Sequence, residues 1–467
     1  MKTFAKTVVI LLMFVQTGCN NIQIQKNDIG QTKFFNPNDR IVFVGNSITK
    51  MGMFHHDLLL YHITRFPGQS IKMYNCGVGG DVTQDVLNRL QTDILSNNPT
   101  VAVIMLGMND MNLGQYSKEN EGSEELKKLV NSAFAKYRKK YEILINEFLS
   151  QKIRVILERP SIYDQTVAFT SRNLYGKNDA LGRCALFVDS IAQKYNLPVV
   201  DYYSEMNRIT SEIQAKDPMA TIVGNDRTHP GEVGHLIMAY QFLKADNAPQ
   251  FVSKIVVDAE KRSISEETFN CQIDDISNTD NEIKFTVKAF SLPFPVIDLQ
   301  KDALKLVPFI NDFNFELFKI NNLPEGKYQL KIDDTIIGEF SSAQLAEGVN
   351  LAEYQSTPQY RQAIKIRNEL EDFWELERRD RSIHFCEKLP DYKSCPVKDD
   401  FDALIAYLDS SFTANYTNPY FREVIETYSA SKPKEKEIKA EMEKIRESIY
   451  SFAALAEHSY KLTKSIE

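Results

Sequence analysis

Four short blocks of the chain carry the residue types of an acyl-transfer site. The first is Gly45-Asn46-Ser47-Ile48-Thr49. A glycine permits a tight turn, and a serine set at a strand-to-helix turn exposes its hydroxyl. The last is Asp226-Arg227-Thr228-His229-Pro230. A carboxylate placed just ahead of a histidine reaches one ring nitrogen when the loop bends back. The other nitrogen is then free to take a proton from Ser47, the general-base arrangement of a serine esterase. The chain has only 7 histidines, which gives the pairing weight. Between these blocks stand Gly77-Val78-Gly79-Gly80-Asp81 and Gly107-Met108-Asn109-Asp110. The Gly80 N–H and the Asn109 side-chain amide are donors of the kind that stabilise an oxyanion. Each block also has a plain structural reading: Asp81 as a helix N-cap, Asn109 as a turn residue. The second block does not fit the Gly-x-Gly-x-x-Gly phosphate fingerprint.

Such residues need a frame that brings them together. From about residue 38 to 246, apolar runs alternate with helical patterns. Arg40 to Val44, Ile71 to Cys76, Val101 to Leu106, Arg154 to Leu157 and Leu197 to Val200 are short, mostly apolar runs, of the kind that parallel strands buried on both faces require. Val82 to Leu95, Ser123 to Leu149 and Ala180 to Lys194 read as helices. This alternation predicts a five-stranded parallel sheet between helices. The first three blocks directly follow the first three strands, and open parallel sheets bind ligands at the carboxyl ends of their strands.

The order Ser, Gly, Asn, Asp…His and its contexts, IVFVGNSIT, NCGVGGDVT, IMLGMND and DRTHPGEVGHLIMA, resemble the SGNH (GDSL-like) hydrolase superfamily. The resemblance covers residues 38 to 246. It implies the flavodoxin-like three-layer α/β/α fold of that superfamily and a carboxylic ester hydrolase. Ser47, Asp226 and His229 then form the catalytic triad, with Ser47, Gly80 and Asn109 as the oxyanion hole and no metal or organic cofactor. Asn46 departs from the family's eponymous motif, which has Asp there. The family's frequent carbohydrate esterases make an O-acetylated carbohydrate the first expected substrate. A lipid or aryl ester is the alternative, and a surface glycan-binding lipoprotein with an inactive site is a reading from another class.

Residues 251–350 read as a small β-rich subdomain. Lys327 to Ile332 and Thr335 to Phe340 make a hairpin. Residues 351–467 read as a charged helical region, and Ile438, Met442, Ile445, Ile449 and Phe452 form an amphipathic stripe suited to core packing. The segments LPEGKYQLKIDD and LAEGVNLA resemble C-terminal extensions of some bacterial members of the superfamily. This extension is expected to supply no catalytic residue.

Of 467 residues, 43% are hydrophobic and 25% charged, ordinary globular values, and the net charge is -8. Nothing here resembles the basic footprint of a nucleic-acid binder. The first residues look like a targeting segment: Lys2 and Lys6, then the apolar run Val8 to Val15, too short to span a bilayer. Thr17-Gly18-Cys19 resembles a bacterial lipobox. The expectation is a signal peptide over 1–19, a lipid on Cys19 as the only membrane attachment, a tether over 20–37, and a place in the bacterial cell envelope. Secretion is the alternative. Five cysteines remain, Cys76, Cys184, Cys271, Cys386 and Cys395, so at least one has no partner within the chain. Cys386 and Cys395 could bridge a loop or remain two thiols.

Overall fold

The computed structural model describes residue 29 and residues 32–279, 281–416, 418 and 420–465. The targeting segment and Cys19 lie outside the described residues. Strands β1 (Arg40–Gly45), β2 (Lys72–Gly77), β3 (Val101–Met105), β4 (Arg154–Glu158) and β5 (Val199–Val200) form one sheet in the order β2-β1-β3-β4-β5. All its pairings are parallel. The first three apolar runs are neighbours, as their composition predicts. Gly45 is level with Gly77 on one side and Met105 on the other, so the first three blocks emerge side by side.

The serine helix α1 (Ser47–Met51) leads into α2 (Met53–Arg65). Helix α3 (Thr83–Asn88) follows β2, and α4 (Glu124–Ser150), α5 (Lys177–Tyr195), α6 (Tyr202–Gln214) and α7 (Glu232–Ala245) complete this region. Phe43 of β1 lies against Phe54 of α2 and Phe242 of α7, which cover one face. On the other, α4 pairs with α5, and the Tyr141 hydroxyl donates to the Ile104 carbonyl. The helix expected over Val82 to Leu95 is interrupted. After α3 the chain widens into a π turn over Leu90–Ile94 and a 3-10 turn over Leu95–Asn97. The wide turn sets Asp93 beside Arg89, 2.6 Å apart, both directed inward.

Beyond residue 250 the chain builds two facing sheets. Strands β6 (Phe251–Asp258), β7 (Ser263–Ile264), β8 (Cys271–Asn278) and β9 (Glu282–Ala289) precede the short helix α8 (Phe309–Phe313). Strands β10 (Phe315–Asn321), β11 (Lys327–Ile332) and β12 (Thr335–Ser341), helix α9 (Ser342–Glu347) and β13 (Val349–Asn350) follow. The hairpin expected at 327–340 is β11 and β12. Helices α10 (Pro358–Lys388), α11 (Pro390–Ser394), α12 (Phe401–Asn415), α13 (Tyr420–Ser431) and α14 (Glu435–Ser448) make the helical region. It ends in a strand rather than a helix. β14 (His458–Lys464) returns to lie between β11 and β9, giving the sheets β13-β10-β6-β7 and β12-β11-β14-β9-β8. Tyr460 and Leu462 of β14 are fully buried between those sheets, which is the period-two pattern of a half-buried strand.

The helical region is not an appendage. Ile366, Leu370, Phe373 and Trp374 of α10 and Ile438 and Met442 of α14 join the same core as the parallel sheet. The stripe at 438–452 is therefore core packing as expected, except at Phe452, which is exposed because the chain turns through a 3-10 segment after α14. The five cysteines named above are buried, unbridged thiols. Among the described residues no helix is long and apolar enough to cross a membrane.

Candidate active site

Ser47 is the first residue of α1, a position whose N–H has no acceptor within its own helix. Asn46 is the N-cap: its side-chain oxygen accepts the Ile48 N–H at 3.1 Å. Capping needs only a side-chain carbonyl, so Asn serves where the family motif has Asp. Glycine is required at Gly45, where a Cβ would come within 2.0 Å of the Thr49 hydroxyl. The half-buried Ser47 hydroxyl lies 2.6 Å from Nε2 of His229. Nδ1 of the same ring lies 2.5 Å from Asp226. The two ends of the sequence pattern thus meet as a hydrogen-bonded chain of hydroxyl, imidazole and carboxylate.

The loop that carries the imidazole is folded on itself. Oδ1 of Asp226 accepts the N–H groups of Thr228 and His229, both at 3.0 Å. Gly224 N–H donates to the His229 carbonyl at 2.6 Å, and Arg227 N–H to the Gly224 carbonyl at 2.8 Å. Burial pushes the Asp226 carboxyl up, but the His229 ring and the two backbone N–H groups outweigh it and hold the carboxyl below the usual range. Asp226 is therefore ionised wherever the imidazole needs it.

The second and third blocks also meet. The Asn109 amide donates to the carbonyl of Asp81 at 3.1 Å, which holds it beside Gly80. Gly80 has φ +72, a left-handed conformation that turns its backbone without strain. Asp81 is not the N-cap of α3. Asp110 takes that role by accepting the Thr83 N–H at 3.0 Å, and Asp85 accepts from Val82 N–H at 3.2 Å. The Asp81 carboxylate is fully buried and is paired with Arg89 at 2.8 Å and Lys388 at 2.6 Å. A buried acid held by two cations outranks a cap, because an unpaired charge there would be far more costly.

Two residues near the site escaped sequence reasoning. Arg227, between the acid and the base in sequence, is buried with φ +63. Its guanidinium donates to the carbonyls of Asp164, Val167 and Phe169 at 3.2, 2.9 and 2.8 Å, tying the loop to the segment after β4. Lys388 reaches the site from the far end of α10, and no local pattern marks it. His55, His56 and Glu377 also cluster, but their atoms are already engaged. His56 and Glu377 share a 2.7 Å hydrogen bond, Glu377 accepts from Asn75, and His55 contacts the Thr49 carbonyl. Burial lowers the His55 pKa to about 3 and keeps that ring neutral. This cluster is a hydrogen-bonded support under α1.

Comparison with known proteins agrees with the geometry. The profile of the GDSL-like Lipase/Acylhydrolase family matches residues 41–242. A gut microbial diltiazem-metabolizing enzyme of known structure is 32% identical, with a TM-score of 0.83, over 94% of this chain and 100% of that one. The acetylxylan esterase of Geobacillus stearothermophilus is 22% identical over 229 residues, 44% of this chain and 93% of that protein. The crystal structure of the acetyl xylan esterase AlAXEase aligns with 20% identity and a TM-score of 0.35, over 44% of this chain and 98% of that one. The chain belongs to the GDSL-like lipase/acylhydrolase family and is a carboxylic ester hydrolase.

Proposed function

We propose that this protein removes short acyl groups, acetyl first among them, from a hydroxylated substrate by a Ser47–His229–Asp226 mechanism. The observation that carries the reading is the unbroken hydrogen-bonded chain from the Ser47 hydroxyl through His229 to Asp226. Ser47 Oγ attacks the ester carbonyl carbon while Nε2 of His229 accepts the hydroxyl proton. The tetrahedral oxyanion is held by the N–H groups of Ser47 and Gly80 and by the Asn109 amide. The C–O bond to the leaving alcohol breaks as His229 returns the proton to it. A water, deprotonated by the same nitrogen, then releases the acyl group and restores Ser47. Asp226 holds the imidazole tautomer and stabilises the imidazolium.

Acetylated carbohydrate is the first substrate class, supported by the acetylxylan esterase of Geobacillus stearothermophilus among the relatives. An ester of an aromatic small molecule is the second. It draws on the whole-chain likeness to the diltiazem-metabolizing enzyme and on one structural feature. One turn after Ser47, Lys50 donates to the hydroxyl of the exposed Tyr420 at 3.0 Å and lies 4.9 Å from the Phe385 ring centre. These aromatic rings come from the extension. The test is hydrolysis of p-nitrophenyl acetate, longer-chain esters, acetylated xylooligosaccharides and acetylated phenols by residues 20–467 and by Ser47→Ala. Equal activity in both proteins rejects the mechanism, and the ranking of substrates decides between the two classes. The same reading includes the Cys19 lipid, and Cys19→Ala is then expected to leave the membrane fraction. Retention there rejects the anchor.

A further inference from the structure

The turn that carries Gly80 is built into the extension. Val78 is buried in a core otherwise made by the helical region, among Ile383, Phe385, Leu404 and Leu408. The Phe385 ring lies against Gly79, where a Cβ would come within 3.0 Å of it. The ammonium of Lys388 contacts Asp81 at 2.6 Å, Asp85 at 3.0 Å and the Gly79 carbonyl at 3.4 Å. Nearer the middle of α10, Arg381 grips Asp93 at 3.0 Å, and Asp93 in turn holds Arg89, whose guanidinium donates to the Cys76 carbonyl at 2.8 Å. Further back, Glu377 accepts from the Asn75 amide at 3.1 Å, and the Asn75 side-chain oxygen accepts the Gly77 N–H at 3.0 Å. Glu377, Arg381, Phe385 and Lys388 recur at steps of four, four and three, so they share one face of the helix.

We propose that this face of α10 is the strut of the oxyanion hole, and that Lys388 is a positioning residue for hydrolysis. Its ammonium fixes Asp81, whose carbonyl holds the Asn109 amide and whose preceding residue is Gly80. The inference rests on the serine-hydrolase reading above. Without the Lys388 charge, the buried Asp81 keeps only Arg89, and the turn relaxes toward solvent. Donors that act on the oxyanion are felt in the transition state and little in substrate binding, so the effect belongs to kcat.

The experiment uses the full chain and p-nitrophenyl acetate, with Lys388→Met, Lys388→Gln, Lys388→Arg, Asn109→Ala and the double variant Asn109→Ala/Lys388→Met. Displacement of catalytic donors by about an ångström lowers kcat by up to about 100-fold, so Lys388→Met is expected to lose roughly 10- to 100-fold with KM little changed. Lys388→Arg recovers most of that loss. The double variant falls hardly below Asn109→Ala, because both changes act on one hole. Wild-type kcat in Lys388→Met overturns the proposal, as does a loss in the double variant that multiplies the two single losses. If Lys388→Met fails to fold, Lys388→Gln, which keeps most of the stem, carries the same test, and its unchanged kcat overturns the proposal equally. A wild type inactive on every ester removes the hydrolase reading itself, whereas an active wild type with an equally active Lys388→Met removes only the strut.

Discussion

The loop Asp226–His229 and the turn Gly77–Asp81 serve one serine, yet they are held in place by opposite means. The acid and the base are tied to each other within the loop, where Asp226 accepts two N–H groups from the next three residues and Gly224 closes the bend, and Arg227 ties the loop to the segment after β4. The turn is held from a distance. Its ion pair with Lys388 spans 307 positions of sequence, and its Val78 side chain sits in the core of another region. The base and its orienting acid are thus a nearly local device that can be carried in one short block. The proposed oxyanion side is a tertiary device, held by side chains of the extension that are remote in sequence.

The largest effects should come from breaking the self-contained side. Ser47→Ala and His229→Ala are each expected to lower kcat by about five to six orders of magnitude, with the double variant hardly worse than either. Asp226→Asn is expected to lose about four orders, because an amide favours the wrong imidazole tautomer. These are read as kcat/KM on p-nitrophenyl acetate, and additive losses would show that the residues do not act as a unit. On the other side, Asn109→Ala removes one donor and should lower kcat by about two to three orders with little change in KM. An unchanged kcat would make Asn109 a turn residue.

This ranking follows what was legible in the sequence. The strands at 40–44, 71–76 and 101–106 were legible because buried parallel strands demand apolar runs, although the second is interrupted by Lys72 and Asn75, and the blocks after them inherit their positions from the sheet. That Ser47, His229 and Asp226 meet was legible because each has a residue type, a local context and an order, and the same order set Gly80 and Asn109 at neighbouring strand ends as the proposed donors. The π turn after α3 was not: the Asp93 it directs inward meets Arg89 and also Arg381, 288 positions away, which no local pattern reveals. Lys388 was equally invisible: a lysine at the end of a charged helix looks solvated until its partner is known. β14 was hidden by its isolation from the strands it joins, although His458 to Lys464 alternates as a strand does.

Arg227 tests how self-contained the loop is. Its guanidinium reaches back to the carbonyls of the 164–169 segment, the loop's main tie beyond itself. Arg227→Met keeps the apolar stem but leaves those buried carbonyls without donors. The expected loss in kcat is about tenfold, at the lower end of that for Lys388→Met and smaller than for Ser47, His229, Asp226 and Asn109, because Asp226 and its backbone contacts survive. A lower midpoint of thermal unfolding should accompany it, since each buried acceptor left unpaired costs about 1–3 kcal/mol. A hundredfold or greater loss would show that the loop, like the oxyanion turn, depends on remote support.

The smallest expected effect concerns a second buried acid, and it sharpens the contrast between answered and unanswered charge. Burial pushes Asp81 up, but Arg89 and Lys388 oppose it. Glu158, the last residue of β4, has no such cations among the described residues. Burial raises its pKa to about 8, opposed only by the Tyr202 hydroxyl donating at 2.8 Å. In the unfolded chain a glutamic acid titrates near 4.3. Between those values the folded protein holds a proton that the unfolded chain has lost, so stability falls as pH rises through this window and levels off above it. Glu158→Gln keeps the shape and the acceptor for Tyr202 without the titration. It is expected to match the wild type in thermal midpoint near pH 4 and to exceed it near pH 8, by about 1 °C for each kcal/mol relieved in a chain of this length. Esterase activity should be unchanged, because Glu158 makes no contact with the Ser47–His229–Asp226 chain. A difference in midpoint that is the same at both pH values would mean that Glu158 is ionised in the folded protein and that the β4 end of the sheet has found its own counter-charge.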